Sequence, residues 1–361
     1  MKTLIVFNHP APYKVKLFNK LAEKIDLFVI FERTSASDRP EEYYTEKEYA
    51  FKHTFLTKGY IGRENSISFK VKNYIKDHHK EYDLIVMNGY STISEQIAIN
   101  YMIKNKIPYV LFVNGGVIKE HESKFKRKLK KRYISNAMAY LSPNEQASLY
   151  LTFYGANHSI AHYPYCTYYE KDITNPNLSD EKRENLRHKY DLPIGKLFIS
   201  ASNFIPRKNN IEMFEAFKDK PYTLVLYGDG PMKKEYEKYI KHNNLNNVIL
   251  RNFVSAETLL EIMSCCDCFI TLSNEDIYGH TTLEALSSGI PVISSKNVVS
   301  SLSVIKDFEN GFLVSSLEDL KEAMDRVDYR LMSENCNKTA KCYSVEKEAE
   351  AITYALEGFL K

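Results

Sequence analysis

Two carboxylates in the second half of the chain suit a hydroxyl-rich ligand, and two cations stand upstream of them. Asp276 and Glu284 stand with seven residues between them in Asp276-Ile-Tyr-Gly-His-Thr-Thr-Leu-Glu284-Ala-Leu-Ser-Ser-Gly-Ile-Pro291. Ionised carboxylates only accept hydrogen bonds, so both suit the hydroxyls of a ribose or a hexose. Arg207 and Lys208 stand upstream in Ala201-Ser-Asn203-Phe-Ile-Pro-Arg207-Lys208, and on their own read as two surface cations before a helix. Between these stretches lies Gly228-Asp-Gly230-Pro231, whose glycines let backbone approach a ligand closely.

The elements that must carry these residues are legible from hydrophobic pattern. Cys268–Leu272 and Pro291–Ser294 are apolar runs of strand length. Between them, Thr281–Ser288 suits a helix with Leu283, Leu286 and Ser287 on one face and Gly289 at its stop. Gly279 sits at the mouth of that helix, where free N–H groups and the helix dipole favour a phosphate or a sugar hydroxyl. Lys196–Ser200 and Tyr222–Tyr227 read as strands that deliver Asn203 and Gly228. A helix over 211–217 follows Lys208, a charged helix covers 179–190, and Ser344 caps a last helix over 345–360.

The first half repeats the alternation. Strands are expected over 4–7, 27–31, 83–87, 109–113 and 137–141, giving an α/β chain with parallel sheets. Ligands of such sheets sit at the carboxyl ends of the strands. His9, Asn88-Gly-Tyr90 and Asn114-Gly115-Gly116 occupy such ends. Arg33–Arg63 reads as a long polar, irregular connection that serves either as an acceptor-binding or lid segment or as a solvated insertion. The irregular stretch 160–169 marks the passage to the second half, giving an N-terminal domain over 1–165, a C-terminal domain over 166–342 and a final segment over 343–361.

Composition bounds the rest. The 361 residues suit two domains. Lys+Arg number 49 and Asp+Glu 46, a formal charge of +3 that gives no general affinity for nucleic acid. The positive charge concentrates in Lys119–Ile134, which reads as a basic helix with Phe125 and Leu129 at helical spacing; the run 124–132 suits either solvent or an anionic membrane surface, and no nucleic-acid module accompanies it. Three of the six cysteines crowd into Cys265-Cys-Asp-Cys268 with no second ligand pair, so buried free thiols are expected rather than a zinc site. No run is long enough for a membrane span and the N-terminal apolar run is too short for a signal peptide, which points to the cytoplasm, with the inner face of the membrane as a possible station.

The stretch from Asp276 to Pro291 resembles the E-x7-E signature of the retaining GT-B glycosyltransferases of family 4 (glycosyltransferase group 1), with Asp276 in place of the first Glu. Gly228-Asp-Gly-Pro231 and Asn310-Gly-Phe-Leu-Val314 resemble that family's turn and strand, and Lys208 stands at its diphosphate lysine; Asn203 stands where the family has an arginine, and Asn114 where it has a histidine. The resemblance is specific over 196–314 and architectural over 1–165. It implies a GT-B fold, two Rossmann-like domains facing across a cleft, with an acceptor domain and a nucleotide-sugar domain. It implies a metal-independent, retaining transfer of a hexose or N-acetylhexosamine from a nucleoside-diphosphate sugar, UDP-sugar favoured, to a glycan, lipid-linked or protein acceptor, in cell-surface glycan or polysaccharide synthesis. Lys208 and Arg207 would serve the diphosphate, Glu284 the ribose, and Asp276 the sugar. Asn203, Gly228, Gly230, Tyr278, Gly279, His280 and Thr281 would line the donor site, with His9, Asn114 and Gly115 on the first domain. No resident cofactor is implied. The other outcomes open to this sequence are another GT-B enzyme, such as an epimerase or phosphorylase, and a non-catalytic GT-B subunit that binds an acceptor or a partner transferase.

Overall fold

A computed structural model describes residues 1–36, 43–44, 48–57, 68–118, 121–174 and 178–361. The chain forms two units: Met1–Thr167 together with Ser344–Lys361, and Tyr168–Tyr343.

In the first unit the strands are β1 Lys2–Phe7, β2 Asp26–Arg33, β3 Lys52–Thr57, β4 Leu84–Met87, β5 Val110–Phe112, β6 Ala139–Ser142 and β7 Ile160–His162. They pair in the order β3-β2-β1-β4-β5-β6-β7, all in parallel. In the second unit they are β8 Leu197–Ala201, β9 Thr223–Tyr227, β10 Val248–Arg251, β11 Cys268–Thr271, β12 Val292–Ser295 and β13 Gly311–Val314. Their order is β10-β9-β8-β11-β12-β13, again all parallel. Parallel sheets are covered by helices on both faces, so their central strands are continuously apolar. Leu4-Ile-Val-Phe7 and Cys268-Phe-Ile270 are buried along their whole length for that reason.

Helix starts follow side-chain chemistry. Ser344 Oγ accepts the Lys347 N–H at 3.2 Å and opens helix Val345–Phe359. Thr92 and Glu95 form a reciprocal capping box at the start of helix Ile93–Lys104. In the first unit, helix Val345–Phe359 packs on helix Pro12–Ala22. Fully buried Lys14 and Glu348 join the two helices at 3.4 Å, and the other Glu348 oxygen accepts the Cys166 N–H at 3.1 Å.

Two strands depart from the sequence expectation. The connection 33–63 contains β3, an edge strand held in register by β2 from Phe28↔Lys52 onward. Its sequence, Lys52-His-Thr-Phe-Leu-Thr57, is half-exposed and lacks an apolar run; pairing with β2 and stacking of Phe55 on Phe31 at 5.2 Å supply what the local pattern does not. The Arg39–Glu42 part of that connection lies outside the described residues, as do Lys119 and Glu120 at the start of the basic segment. The stretch expected to be irregular from 160 opens with β7, a three-residue strand added beside β6.

Candidate active site

The order of the second sheet decides where its functional loops meet. From β8 the chain builds outward through β9 to β10, then returns to the other side of β8 with β11 and continues through β12 to β13. The loops after β8 and β11 therefore leave adjacent strands toward opposite sides. Such a reversal is where ligands of open parallel sheets bind. Those two loops carry Asn203–Lys208 and Ser273–Gly279.

They are stitched together. Lys208 Nζ forms a salt bridge with Asp276 Oδ2, and both side chains are largely buried, 14% and 15% exposed. Arg207 stands 3.9 Å from the other Asp276 oxygen with its side chain about half-exposed. Arg207 Nη1 donates to the Glu275 carbonyl at 2.7 Å, and the Asn274 N–H donates to the Arg207 carbonyl at 2.8 Å. A short 3-10 turn over Pro206–Lys208 aims the two cations, and Asn209 leaves it in the left-handed region at φ 53°. Asn203 is exposed at the start of the same loop.

The loop from Asp276 to Gly279 is moored on its other side by the segment after β12. Asp276 N–H donates to the Asn297 carbonyl at 3.1 Å, Ser300 N–H to the Tyr278 carbonyl at 2.8 Å, and Ser300 Oγ to the Gly279 carbonyl at 2.9 Å. Gly279 has φ 85°, and a Cβ there would lie 2.4 Å from Val298 Cγ1, so the position demands glycine. It opens helix His280–Ser287, which begins one residue before the expected Thr281. Tyr278 is buried against the His280 ring at 4.9 Å, Thr281 and Glu284 are half-buried, and Thr282 Oγ1 joins Ser301 Oγ at 3.0 Å beneath. Ser300 and Asn297 are supports that the sequence did not announce: Lys296-Asn-Val-Val-Ser300 carries no pattern beyond a polar turn.

Gly228 and Gly230 do allow close backbone approach, and what approaches is the protein's own chain. A Cβ on Gly228 would meet the Ser202 carbonyl oxygen at 1.9 Å, and one on Gly230 the Phe204 carbonyl oxygen at 2.7 Å. Phe204 N–H donates to the Asp229 carbonyl at 2.8 Å. The two glycines thus fix the loop that bears Asn203, Arg207 and Lys208.

In the first sheet the corresponding reversal lies between β1 and β4. His9 follows β1, with Nδ1 3.4 Å from the Tyr44 hydroxyl. Asn114 follows β5 and donates through Nδ2 to Asn88 Oδ1, after β4, at 2.9 Å; Gly115 follows with φ 141°. Just beyond Asn88, burial and then the neighbouring Glu32 carboxylate push the Glu95 carboxyl up to about 8. The basic segment forms helix Lys124–Ser135, with Phe125 71% exposed. Lys130 is not part of its free charge: it is bound to Glu122 at 2.5 Å. Five of the six cysteines are buried free thiols, and Cys342 is exposed. Among the described residues no group of three or more His, Cys, Asp or Glu is placed to hold a metal ion, and no helix is long and apolar enough to cross a membrane.

These two parallel-sheet units define the class. The chain has the GT-B fold: it superposes on Anabaena HepE, solved in complex with UDP, with a TM-score of 0.80 at 17% identity over 99% of this chain and 100% of that one. Residues 182–347, most of the second unit, match the family model of the glycosyl transferases group 1. The chain is 28% identical over 173 residues to an uncharacterized glycosyltransferase of Methanocaldococcus jannaschii, covering 46% of this chain and 48% of the relative. It is 29% identical over 129 residues to the alpha-monoglucosyldiacylglycerol synthase of Streptococcus pneumoniae, covering 34% and 29%. The chain thus spans about half or less of the length of these curated relatives.

Proposed function

We propose that the protein is a retaining, metal-independent glycosyltransferase that moves a hexosyl or N-acetylhexosaminyl group from a nucleoside-diphosphate sugar to an acceptor hydroxyl. The observation that carries this reading is the Lys208–Asp276 pair, with Arg207 beside it, on the two loops that part at the strand reversal and next to the N-terminus of helix His280–Ser287. A lysine ammonium has three donors, so Lys208 can keep Asp276 and still meet diphosphate oxygens. Its charge is then already positioned where negative charge develops as the nucleoside diphosphate leaves. Asp276 takes the sugar hydroxyls with its remaining lone pairs, and Glu284 takes the ribose. The mooring of 276–279 by Asn297 and Ser300 keeps both groups from having to reorganise during the reaction.

A UDP-sugar is the favoured donor, supported by HepE having been solved with UDP. The acceptor in this reading is a glycan, a protein or a lipid-linked group in surface-glycan synthesis, met at the inner face of a membrane. Support comes from exposed Lys124, Lys128 and Lys131 around Phe125, and from a relative that is by name a diacylglycerol glycolipid synthase. The test is a thermal-shift screen of uridine, guanosine and adenosine diphosphates and their sugars, followed by a hydrolysis assay on the hit. A shift with one nucleotide and slow release of its sugar is expected. No shift with any of them refutes the donor site.

A further inference from the structure

The second unit holds a cavity at the end of its sheet remote from the loops described above. Lys196 directly precedes β8, Asp267 directly precedes β11, and both line a cavity of about 530 Å³. Small-molecule sites span roughly 300–1,000 Å³. The loops at 203–208 and 273–279 leave the carboxyl ends of the same two strands, so this cavity is separate from the donor site. Its inner wall is built by two arginines of helix Asp180–Lys189 that share one carboxylate. Arg183, 6% exposed, donates to Asp267 Oδ1 at 2.9 Å and to the Ser264 and Cys266 carbonyls. Arg187 donates to Asp267 Oδ2 at 2.9 Å and to the Cys265 and Gly195 carbonyls. These bonds leave the Nε–H and an Nη1–H of Arg183, and an N–H on each Nη of Arg187, with no acceptor among the described residues. Both Asp267 oxygens are taken, Oδ2 also by the Leu197 N–H at 2.6 Å.

We propose that this cavity binds a phosphomonoester, with Arg183 and Arg187 on the phosphate. Two guanidiniums against one carboxylate leave surplus positive charge, and Lys196, whose Nζ donates to the neutral Met324 carbonyl at 2.8 Å, adds to it. The other acidic residues on the cavity, Asp180, Glu184 and Asp328, are exposed at its rim, and Asp180 is already bound to Arg330 at 3.0 Å. The inner wall thus offers donors and no free acceptor. That suits a phosphate dianion, whose oxygens only accept and whose shape matches the guanidinium fork. A hydroxyl or an ammonium would bring hydrogens that this wall cannot accept. Phosphate alone does not fill the space, and the remaining surface is apolar. The Tyr329 ring centre lies 3.6 Å from Arg183 Cζ, and Val327 and Ile194 line the cavity with it. The organic part of the ester packs there. The site does not depend on the transferase reading.

The experiment uses the full chain, saturated with UDP to occupy the loops at 203–208 and 276–279, and titrates phenyl phosphate by calorimetry, with inorganic phosphate and benzoate as comparisons. Phenyl phosphate should bind, and more tightly than either. Arg187→Met removes one guanidinium while Arg183 still neutralises Asp267, and should weaken phenyl phosphate by about tenfold or more. Ile194 is 97% exposed, so its variants keep the fold and change only the charge at the rim. Ile194→Glu should weaken phenyl phosphate about threefold, and Ile194→Lys should strengthen it by a similar factor. Absence of binding to the UDP-saturated chain overturns the site, as does equal affinity in the two Ile194 variants. Inorganic phosphate binding as tightly as phenyl phosphate overturns the ester, and benzoate doing so overturns the phosphate.

Discussion

Lys208 and Asp276, 68 residues apart in the chain, form one salt bridge that ties the loop after β8 to the loop after β11. Each partner is the other's main neutralising group in a largely buried setting, so the pair has both a structural and a chemical consequence.

Lys208→Ala removes a preorganised donor from the leaving phosphate, and turnover should fall by ~10²–10³. It also strands a mostly buried carboxylate, so the melting temperature should fall as well. Steady-state kinetics with the cognate donor and a circular-dichroism melt separate the two effects. Near-normal turnover would remove Lys208 from the mechanism.

The two carboxylates should divide the donor between them. Glu284→Gln replaces a charge-assisted acceptor by a neutral one and should weaken UDP and UDP-sugar alike. Asp276→Asn should weaken the UDP-sugar more than UDP. Calorimetric titration of each variant with both ligands checks this, and identical losses in both variants would defeat the assignment.

The Lys14–Glu348 pair predicts a pH dependence of stability. Burial pushes the Glu348 carboxyl up to about 7 and the Lys14 ammonium down to about 8, each opposed by the partner's charge. A raised carboxyl favours the folded state below its unfolded pKa near 4.5, and that contribution is lost as pH rises to about 7. A lowered lysine contributes fully above 10.5, and that contribution is lost as pH falls to about 8. Between these windows the pair stabilises least. Lys14→Met strands Glu348 and should destabilise by about 3–5 kcal/mol at pH 8, less at pH 5, whereas Lys14→Met with Glu348→Gln should recover most of the loss because Gln still accepts the Cys166 N–H. Urea melts at both pH values give the comparison, and a pH-independent loss in the single variant contradicts the buried-pair account.

The chain has no tryptophan, so Phe125→Trp introduces a single tryptophan, excited apart from the tyrosines at the red edge of absorption, at a 71% exposed position on the basic helix. Its emission should shift to the blue with phosphatidylglycerol vesicles at low salt and not with phosphatidylcholine alone, and salt should reverse the shift. Changing Lys124, Lys128 and Lys131 to Gln should weaken binding by on the order of 100-fold, at about 1 kcal/mol per cation. Lys130 is left in place because Glu122 already neutralises it. An unchanged spectrum with anionic vesicles would make the helix an ordinary solvated face.

The sequence by itself determined the alternation of strand and helix, because a strand buried on both faces must be apolar throughout, as Leu4–Phe7 and Cys268–Ile270 are. It also marked the loops at 203–208, 228–231 and 276–279, since Gly, Pro and Asn before a helix are local signals. It did not reveal β3 or β7, whose strand form depends on an edge neighbour rather than on their own residues. It did not show that Gly228 and Gly230 admit the loop at 202–204 against their own backbone. Only the tertiary structure decided that Lys208 meets Asp276, that Asn114 meets Asn88, and that Lys14 meets Glu348 across 334 positions. Each of these contacts follows from strand order or helix packing, and local periodicity fixes what a segment becomes but not which segment it lies beside.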